Sequence, residues 1–324
     1  MIGPASIRKA ASETGFRPEI VEKVMYLEAI LARLGRHPGL AGAWVLKGGT
    51  ALNLFWMDVP RLSVDIDLNY VGQVGMEDMQ AGREPFEAAL AASCEAEGCS
   101  VRRVPREHAG GKFRLRYAGG LGGAGSLEVD VNYLQRCPLL GIERRAPRFP
   151  PGAIHAPVPV LTFEETAAGK FAALVTRRAA RDAFDAWSIL TMRPDLLGSQ
   201  DFRQAFVILG AEQRHDLRRI AVEDVAVSGK SMQDTLLPML RIEGRPFDGD
   251  VNELTDRINE VCREAAGRLL AWSAGERVFL DRLLDRGEIV PEALSDHPER
   301  QAIIATQPAL QWKALNVRKF RIGR

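Results

Sequence analysis

Cysteine is scarce in this sequence, and long apolar runs are absent. The four cysteines among 324 residues show no C-x-x-C spacing, so neither a disulfide framework nor a cysteine-based metal site is indicated. No stretch reaches the roughly 18 apolar residues of a membrane-spanning helix. The first residues also contain no apolar stretch of signal-peptide length. We therefore expect a cytoplasmic protein with mostly buried thiols and no membrane partner.

Charge of either sign is not in excess. The 43 lysine and arginine residues nearly balance 42 aspartate and glutamate residues, for a formal net charge of +1. This balance excludes a polybasic nucleic-acid binder and an acidic tail, but not a local basic patch. Basic residues do cluster at 102–116 and at 313–324. Each cluster is predicted either to bind an RNA backbone or to form a solvated surface.

Apolar and polar residues alternate in three segments of the first half, which predicts strands. These segments are 63–70, 112–117 and 127–133, and a short apolar strand is predicted at 43–46. The glycine-rich stretch 119–125 is typical of a mobile hairpin loop between the last two strands. Apolar residues at helical spacing predict helices at 19–34, 51–56 and 86–97.

The second half is predicted to be almost wholly helical, with helices at 201–209, 251–273 and 276–286. A capping box, Thr162-x-x-Glu165, indicates another helix start. Five prolines between 147 and 159 indicate a surface connection between the halves. The sequence therefore predicts an α+β protein, with a mixed α/β domain at 1–155 and a helical domain at 156–324.

Three aspartates form the strongest chemical pattern. Asp65 and Asp67 lie two residues apart on one predicted strand and therefore share a face, and Asp130 lies on the same polar face of another strand. Carboxylates in this arrangement are suited to two Mg²⁺ ions, which share their ligands with substrate phosphates. Gly48-Gly49-Thr50 leads into a helix, where free backbone N–H groups can receive phosphates.

Each element of this pattern has a simpler interpretation. A lone Asp-x-Asp on a strand usually marks a solvated sheet face, and Gly-Gly before a helix is usually a turn. The order strand, Gly-Gly-Thr, helix, Asp-x-Asp strand and a further acidic strand is more specific. Arg61 and Ser63 alternate onto the acidic face, where either phosphate contact or a loop salt bridge fits. Arg114 and Arg116 are expected beside Glu128 and Asp130, with a structural or an RNA-binding role.

These motifs resemble the AbiEii/AbiGii-type toxins, a group that includes the MenT toxins of mycobacteria. The segment KGGTALNLFWMDVPRLSVDIDLNY resembles motif I of this nucleotidyltransferase family of the DNA-polymerase-β superfamily. The strand LEVDVNY is similar to the family's later acidic strand. Positions Lys170, Arg177, Arg181, Asp182 and Asp185 match a further family helix, and Pro308, Leu310, Trp312 and Lys313 match the family's C-terminal ending. Thr50 stands where many relatives have serine.

The resemblance implies a polymerase-β-like nucleotidyltransferase domain and a helical domain that contributes Lys170 and Asp182 to one site. It implies a metal-dependent toxin of a type IV-like toxin–antitoxin system, which transfers NMP from an NTP to a tRNA 3′ end and has a cognate antitoxin. The expected catalytic residues are Asp65, Asp67, Asp130, Lys170 and Asp182. The expected nucleotide-binding residues are Lys47, Gly48, Gly49, Thr50, Lys170 and Asp185.

Two alternatives remain open at this level. One is NMP transfer to a protein or small-molecule hydroxyl, and the other is a catalytically silent NTP-binding module. The basic helix also has two interpretations. On one straight helix, Lys170, Arg177, Arg181 and Asp185 share a narrow arc that presents cations to a triphosphate. The alternative is a solvated basic face, or Asp182 as an N-cap where the helix breaks.

Overall fold

The computed structural model describes residues 2–104, 110–152, 155–242 and 250–322. For residues 321 and 322 it describes the backbone alone. These residues divide into two compact units. The first, here called the sheet unit, comprises the described residues of Met1–Thr162 and Pro238–Asp248. The second, the helical unit, comprises those of Phe163–Leu237 and Gly249–Arg324.

A mixed seven-stranded sheet forms the centre of the sheet unit, as the α+β expectation requires. Its spatial order is β3-β4-β5-β2-β1-β7-β6. Strand β5 pairs in parallel with β2, and β1 pairs in parallel with β7, whereas the other neighbours are antiparallel. The strands are β1 Trp44–Lys47, β2 Asp65–Tyr70, β3 Ser100–Arg103, β4 Gly110–Ala118, β5 Ala124–Asn132, β6 Ile142–Arg145 and β7 Val158–Leu161.

Alternation places the apolar side of the hairpin β4–β5 in the core. Phe113 and Leu115 of β4 and Val129 and Val131 of β5 are all buried, whereas the residues between them are more exposed. The predicted faces are therefore confirmed. The loop between the strands is bonded to the rest of the unit, because the Glu22 carboxylate accepts a hydrogen bond from the Gly120 N–H.

Four helices belong to the sheet unit: α1 Pro4–Thr14, α2 Pro18–Leu34, α3 Gly48–Thr50, which continues as a π-helix at Ala51–Trp56, and α4 Met76–Ala96. Helix α2 buries its apolar stripe in the core, as its 3.6-residue period predicts. Helix α4 begins ten residues before the predicted start at 86. Its first turns are polar and include Pro85, so they lack the apolar period on which the prediction depended.

Strand β7 begins inside the end of segment 147–159, which was predicted to be a surface connection. Its residues Val158 and Val160 are buried, and Leu46 of β1 pairs with Val160. The interpretation as a connection was therefore wrong for its C-terminal part. The strand has only four residues and contains Pro159, which argues against a strand when the sequence is read alone.

The helical unit contains eight helices in the part of the chain that is described: α5 Phe163–Arg177, α6 Ala180–Met192, α7 Gln200–Ala211, α8 Gly229–Ser231, α9 Val251–Leu269, α10 Ala274–Asp281, α11 Pro298–Ala305 and α12 Pro308–Ile322. The interpretation with one straight helix through Lys170 and Asp185 is wrong, because α5 and α6 are separate. The chain breaks at Arg178, whose φ of 56° is left-handed, and at the extended Ala179.

All four cysteines are free thiols, and Cys94, Cys99 and Cys262 are buried. Burial raises the pKa of Cys94 and Cys262 to about 12 and that of Cys99 to about 11, so these three thiols stay protonated at neutral pH. The expectation of buried, unreactive thiols is confirmed for them. Within the described residues, no helix has both the length and the apolar character that crossing a membrane requires.

Arg218 connects three carboxylates of the helical unit. Its guanidinium contacts Asp281 and Asp285 at 2.7 Å each and Asp216 at 2.7 Å. Only 12% of the Arg218 side chain is exposed, so its bonds are poorly replaced by water. Hydrogen bonds from Arg218 hold the pKa of Asp285 below its usual range, and they outweigh burial in lowering that of Asp216.

Replacement of Arg218 by methionine is expected to lower the free energy of unfolding by about 2 kcal/mol at pH 7, since charge-assisted hydrogen bonds are lost. A folded-state pKa below the unfolded one stabilises the protein above the unfolded value and loses that effect as pH falls. The difference between wild type and variant should therefore shrink below about pH 4. Urea unfolding at several pH values measures it. Arg219→Met, at an 83% exposed neighbour, is the control and should change little; equal losses in the two variants would contradict the assignment.

Candidate active site

Three strands at the centre of the sheet bring the acidic residues together. Asp67 of β2 is the register partner of Asp130 on β5 and of Lys47 on β1. Asp65 lies two residues before Asp67 and is paired with Glu128. Partners on neighbouring strands are about 4.8 Å apart, and residues two apart share a face. The sheet therefore places Asp65, Asp67, Glu128 and Asp130 on one acidic face.

Burial and a neighbouring carboxylate both act on Asp130 of the acidic face. The pKa of Asp130 is raised, first by burial and then by the nearby carboxylate of Asp67. Lys112 and Lys47 act in the opposite direction but do not cancel the effect. Asp67 itself is half-buried. A carboxyl group whose pKa is raised beside a second carboxylate is typical of a functional site, although structural clusters also show such shifts.

Lys112 is a residue of this face that the sequence analysis did not single out. It is the register partner of Asp130, and its Nζ lies 2.9 Å from Glu128 Oε2 and 4.0 Å from Asp130 Oδ2. Arg114 lies beside Glu128 as predicted, with its Nε 3.2 Å from the carboxylate. The expectation for Arg116 was wrong, because Arg116 is paired with Ser126. The sequence could have identified Lys112 only through the register of the β4–β5 hairpin, and that register depends on which residues close the loop.

The Gly-Gly-Thr turn lies directly against the Asp-x-Asp strand. Gly48 has a φ of 73°, and a Cβ atom at this position would overlap the carboxylate of Asp67. The buried Thr50 hydroxyl donates a 2.5 Å hydrogen bond to the Asp65 carbonyl oxygen. Asn53 donates to the Gly49 carbonyl at 3.0 Å. These contacts fix the backbone of the turn beside the acids, and they occupy the Thr50 side chain within the protein.

Two basic residues near the turn differ in exposure. Lys47 is partly exposed, and its Nζ donates to Gln135 Oε1 at 2.8 Å. Arg61 is one of the largest fully buried side chains and donates to the Leu62 carbonyl oxygen at 3.0 Å. Ser63 is buried as well. Lys47 therefore remains near the surface of the acidic face, whereas Arg61 lies inside the loop that precedes β2.

The acidic face has the donor chemistry of a magnesium site. Its ligands are carboxylate oxygens, which Mg²⁺ prefers. The pKa of Asp130 is raised first by burial and then by the Asp67 carboxylate, and a bound cation would offset the second effect. Across the described ranges, no three or more His, Cys, Asp or Glu side chains already converge as a metal-holding group. A hard cation at this face would therefore have to take part of its ligands from substrate and water, as Mg²⁺ usually does.

A second cluster of charged residues lies in the helical unit, between α5 and α6. Lys170 Nζ is 2.8 Å from Asp185 Oδ2 and 3.3 Å from Asp182 Oδ1. Arg177 contacts the other oxygen of Asp182 at 3.0 Å. Both aspartates are buried, and about 10% of the Lys170 side chain is exposed, whereas 64% of Arg177 is. The N-cap of α6 is Ala179, so Asp182 is not the helix cap.

The predicted basic clusters are partly neutralised in the structure. Arg103 donates to Glu87, and Lys112 and Arg114 both contact Glu128. In the C-terminal cluster, Lys313 Nζ donates to the Gln213 carbonyl oxygen at 2.6 Å, and burial lowers the pKa of Lys313. The residues 105–109 and 323–324 of these clusters, and the side chain of residue 321, lie outside the described part of the protein.

Comparison with known proteins identifies the family. A family model described as nucleotidyl transferase AbiEii toxin, type IV TA system, matches residues 29–318. Among solved structures, the fold is similar to MenT4, a nucleotidyltransferase toxin from Mycobacterium tuberculosis H37Rv, with a TM-score of 0.59 and 18% identity over 95% of this chain and 99% of that one. At this identity the likeness shows the fold alone. No protein with curated function matches significantly.

The family match covers the Gly-Gly-Thr turn, the acidic face and the Lys170 cluster, so the resemblance found in the sequence is confirmed. The similar solved fold also supports the expected nucleotidyltransferase architecture. The chain therefore belongs to the AbiEii family of nucleotidyltransferase toxins of type IV toxin–antitoxin systems.

Proposed function

We propose that the protein transfers NMP from an NTP to an acceptor hydroxyl, and that the acidic face of the sheet is its catalytic centre. The observation that carries this proposal is the pair of Asp67 and Asp130, held side by side against the Gly48 turn. In the reaction, the acceptor oxygen forms a bond to the α-phosphorus. The bond from this phosphorus to the bridging oxygen breaks, pyrophosphate leaves, and the hydroxyl proton passes to a base or water.

Asp65, Asp67 and Asp130 would hold two Mg²⁺ ions, which supply charge neutralisation for the phosphates and activation of the attacking oxygen. The strands β2 and β5 position these carboxylates before substrate arrives, because their spacing is fixed by the parallel ladder. Positioning of this kind reduces the reorganisation needed in the transition state. The acids are therefore proposed as ligands, and β2 and β5 as their rigid support.

The triphosphate is proposed to bind at the Gly-Gly-Thr turn. Gly48 and Gly49 have no side chains, so phosphate oxygens can approach their backbone N–H groups closely. Lys47 supplies a positive charge at the same edge of β1. The contribution of Thr50 is positional, since its buried hydroxyl connects the turn to the Asp65 carbonyl group.

Lys170 is proposed to support the charge of the nucleotide, with Asp182 and Asp185 as its positioning residues. Asp185 is fully buried, so its action on the nucleotide would pass through the Lys170 ammonium. Asp182 holds both Lys170 and Arg177, one on each carboxylate oxygen. This shared contact restricts the two cations to defined positions, which limits the entropy lost on binding.

The acceptor is proposed to be the 3′ end of a tRNA, and the partner a cognate antitoxin, both as the family resemblance implies. The reaction has the same bond changes for any hydroxyl, so a protein or small-molecule acceptor is a direct outcome of the test below. The cytoplasmic location expected from the sequence also stays a prediction.

The function is tested by incubation with each α-labelled NTP, Mg²⁺ and total RNA, and then with protein and metabolite fractions as acceptors. We expect label at tRNA 3′ ends and release of pyrophosphate. Asp67→Asn should lower the transfer rate by about a thousandfold, the scale of removing a key electrostatic contact. The variant should have an equal or higher free energy of unfolding, because the repulsion between the carboxylates of Asp67 and Asp130 is removed.

Asp58→Asn is the matched control, since the Asp58 side chain is 95% exposed in the same unit. Full transfer by Asp67→Asn would overturn the proposed mechanism. Label on protein or metabolites alone would replace the RNA acceptor, and Mg²⁺–NTP binding without transfer to any acceptor would make the protein a silent nucleotide-binding module.

Lys112 is expected to compete with Mg²⁺ for the acidic face, because its ammonium already contacts Glu128 and lies near Asp130. Lys112→Met should therefore lower the Mg²⁺ concentration that gives half-maximal thermal stabilisation, by about threefold for a partly exposed ion pair. Arg114→Met is the control, as Arg114 contacts Glu128 on the same strand face. A weaker response to Mg²⁺ in Lys112→Met, or an equal change in both variants, would contradict this prediction.

Gly48→Ala should abolish transfer and destabilise the protein, because the added methyl group displaces the Asp67 carboxylate. The left-handed backbone adds about 1 kcal/mol of strain. Gly42→Ala separates the two effects, since Gly42 has a similar φ of 69° and nothing near its Cβ position. Melting temperature and transfer rate are measured for both variants. Retained activity in Gly48→Ala, or a loss of activity in Gly42→Ala of the same size, would show that contact with Asp67 is unimportant.

A further inference from the structure

The helical unit contains a cleft of about 480 Å³ near the junction of α5 and α6. Its lining includes Arg177 at the end of α5, Arg178 in the break, and His215, Asp216 and Arg219 from the segment after α7. Three arginines from two parts of the chain, the end of α5 and the segment after α7, therefore face one concave surface, with one acidic residue among them. This region is not part of the acidic face.

The single acidic residue of the cleft is already engaged. Both oxygens of Asp216 accept hydrogen bonds from Arg218, at 3.0 and 2.7 Å. Arg219 approaches Asp216 only to 3.6 Å and remains 83% exposed. Since Asp216 is committed to Arg218, the cleft presents the Arg219 charge to any anion that enters it.

The other two arginines have only surface or shared partners. Arg178 is 42% exposed and lies 3.3 Å from the exposed Asp224. Arg177 is 64% exposed and shares Asp182 with Lys170. The exposed Arg178–Asp224 pair contributes little free energy, so phosphate oxygens can replace the Asp224 carboxylate at small cost. Arg177 contacts the buried Asp182 through one nitrogen and is expected to keep this contact while it offers its other N–H groups. Guanidinium groups also match phosphate geometry by donating two parallel hydrogen bonds.

The location of the cleft links it to the Lys170 cluster. Asp182 accepts from Lys170 through one oxygen and from Arg177 through the other. Only the Asp182 carboxylate would thus separate a phosphate bound by Arg177 from Lys170, which is proposed to support the charge of the nucleotide. His215 is the single aromatic ring among the described lining residues, against three arginines, so the cleft offers more phosphate donors than stacking surface. The lining favours a phosphate backbone over a nucleobase.

We propose that this cleft binds the phosphate backbone of the RNA acceptor, through Arg178 and Arg219 together with Arg177. The inference rests on the proposed NMP transfer to RNA and assigns part of its acceptor-binding surface. Backbone contact positions a nucleic acid without reading its sequence. The cleft would therefore contribute affinity and orientation of the acceptor, while the choice of NTP is made elsewhere.

The test measures binding of an RNA hairpin with a single-stranded 3′ end at several salt concentrations. The variant is Arg178→Asn with Arg219→Gln, in which asparagine suits the left-handed backbone. Two lost phosphate contacts should reduce the slope of log Kd against log salt by about 1.4, which corresponds to about 25-fold weaker binding at 0.1 M salt. The KM for NTP should be unchanged, and the KM for RNA should rise.

The matched control is Arg257→Gln with Arg277→Gln, which removes the same charge from exposed positions of the helical unit outside the cleft. Equal salt slopes in the two double variants, with transfer to RNA intact in wild type, would overturn the inference alone. A loss of NTP affinity as large as the loss of RNA affinity would overturn it as well, in favour of a nucleotide site. No transfer to RNA by wild type would overturn the proposed acceptor and this inference together.

Discussion

Repulsion between two carboxylates on neighbouring strands is the constraint on which the proposed site depends. Asp67 and Asp130 are held opposite each other by the parallel pairing of β2 with β5, and the pKa of Asp130 is raised in part for that reason. A sheet built only for stability would not place like charges there, because directly opposed charges are unfavourable. Extensive apolar burial beneath the face, as at Val129 and Val131, offsets this local cost.

The two charged clusters of the protein differ in how their charge is balanced. In the helical unit, Lys170 and Arg177 match Asp182 and Asp185 one for one, and the buried carboxylates have cations within hydrogen-bonding distance. The acidic face instead leaves Asp67 and Asp130 in mutual repulsion while Lys112 binds mainly to Glu128. A cluster whose charges are paired can hold a side chain in place and has little tendency to bind a metal ion. A cluster of carboxylates that repel each other attracts cations. This contrast supports the division of roles between ligands and positioning residues.

Much of this arrangement could be predicted because strand alternation has a strict period of two. That period correctly placed Asp65, Asp67 and Asp130 on one polar face and Phe113 and Val129 in the core. It could not give the pairing of Lys112 with Asp130, because register depends on the closing residues of the glycine-rich hairpin. The exact position of the helix break, at Arg178, could not be given for a related reason. A left-handed arginine carries no sequence signal, and apolar periodicity continues on both sides of it.

The buried hydroxyl of Thr50 shows why a motif residue need not touch substrate. Its hydrogen bond joins the Gly-Gly-Thr turn to the backbone of the Asp-x-Asp strand and thus fixes one part of the motif against the other. A serine here would carry the same hydroxyl, but threonine adds a methyl group that is buried in this position. The methyl group restricts the rotamer and thus the direction of the hydroxyl. The departure from the family pattern therefore preserves the connection between turn and strand and makes it stiffer.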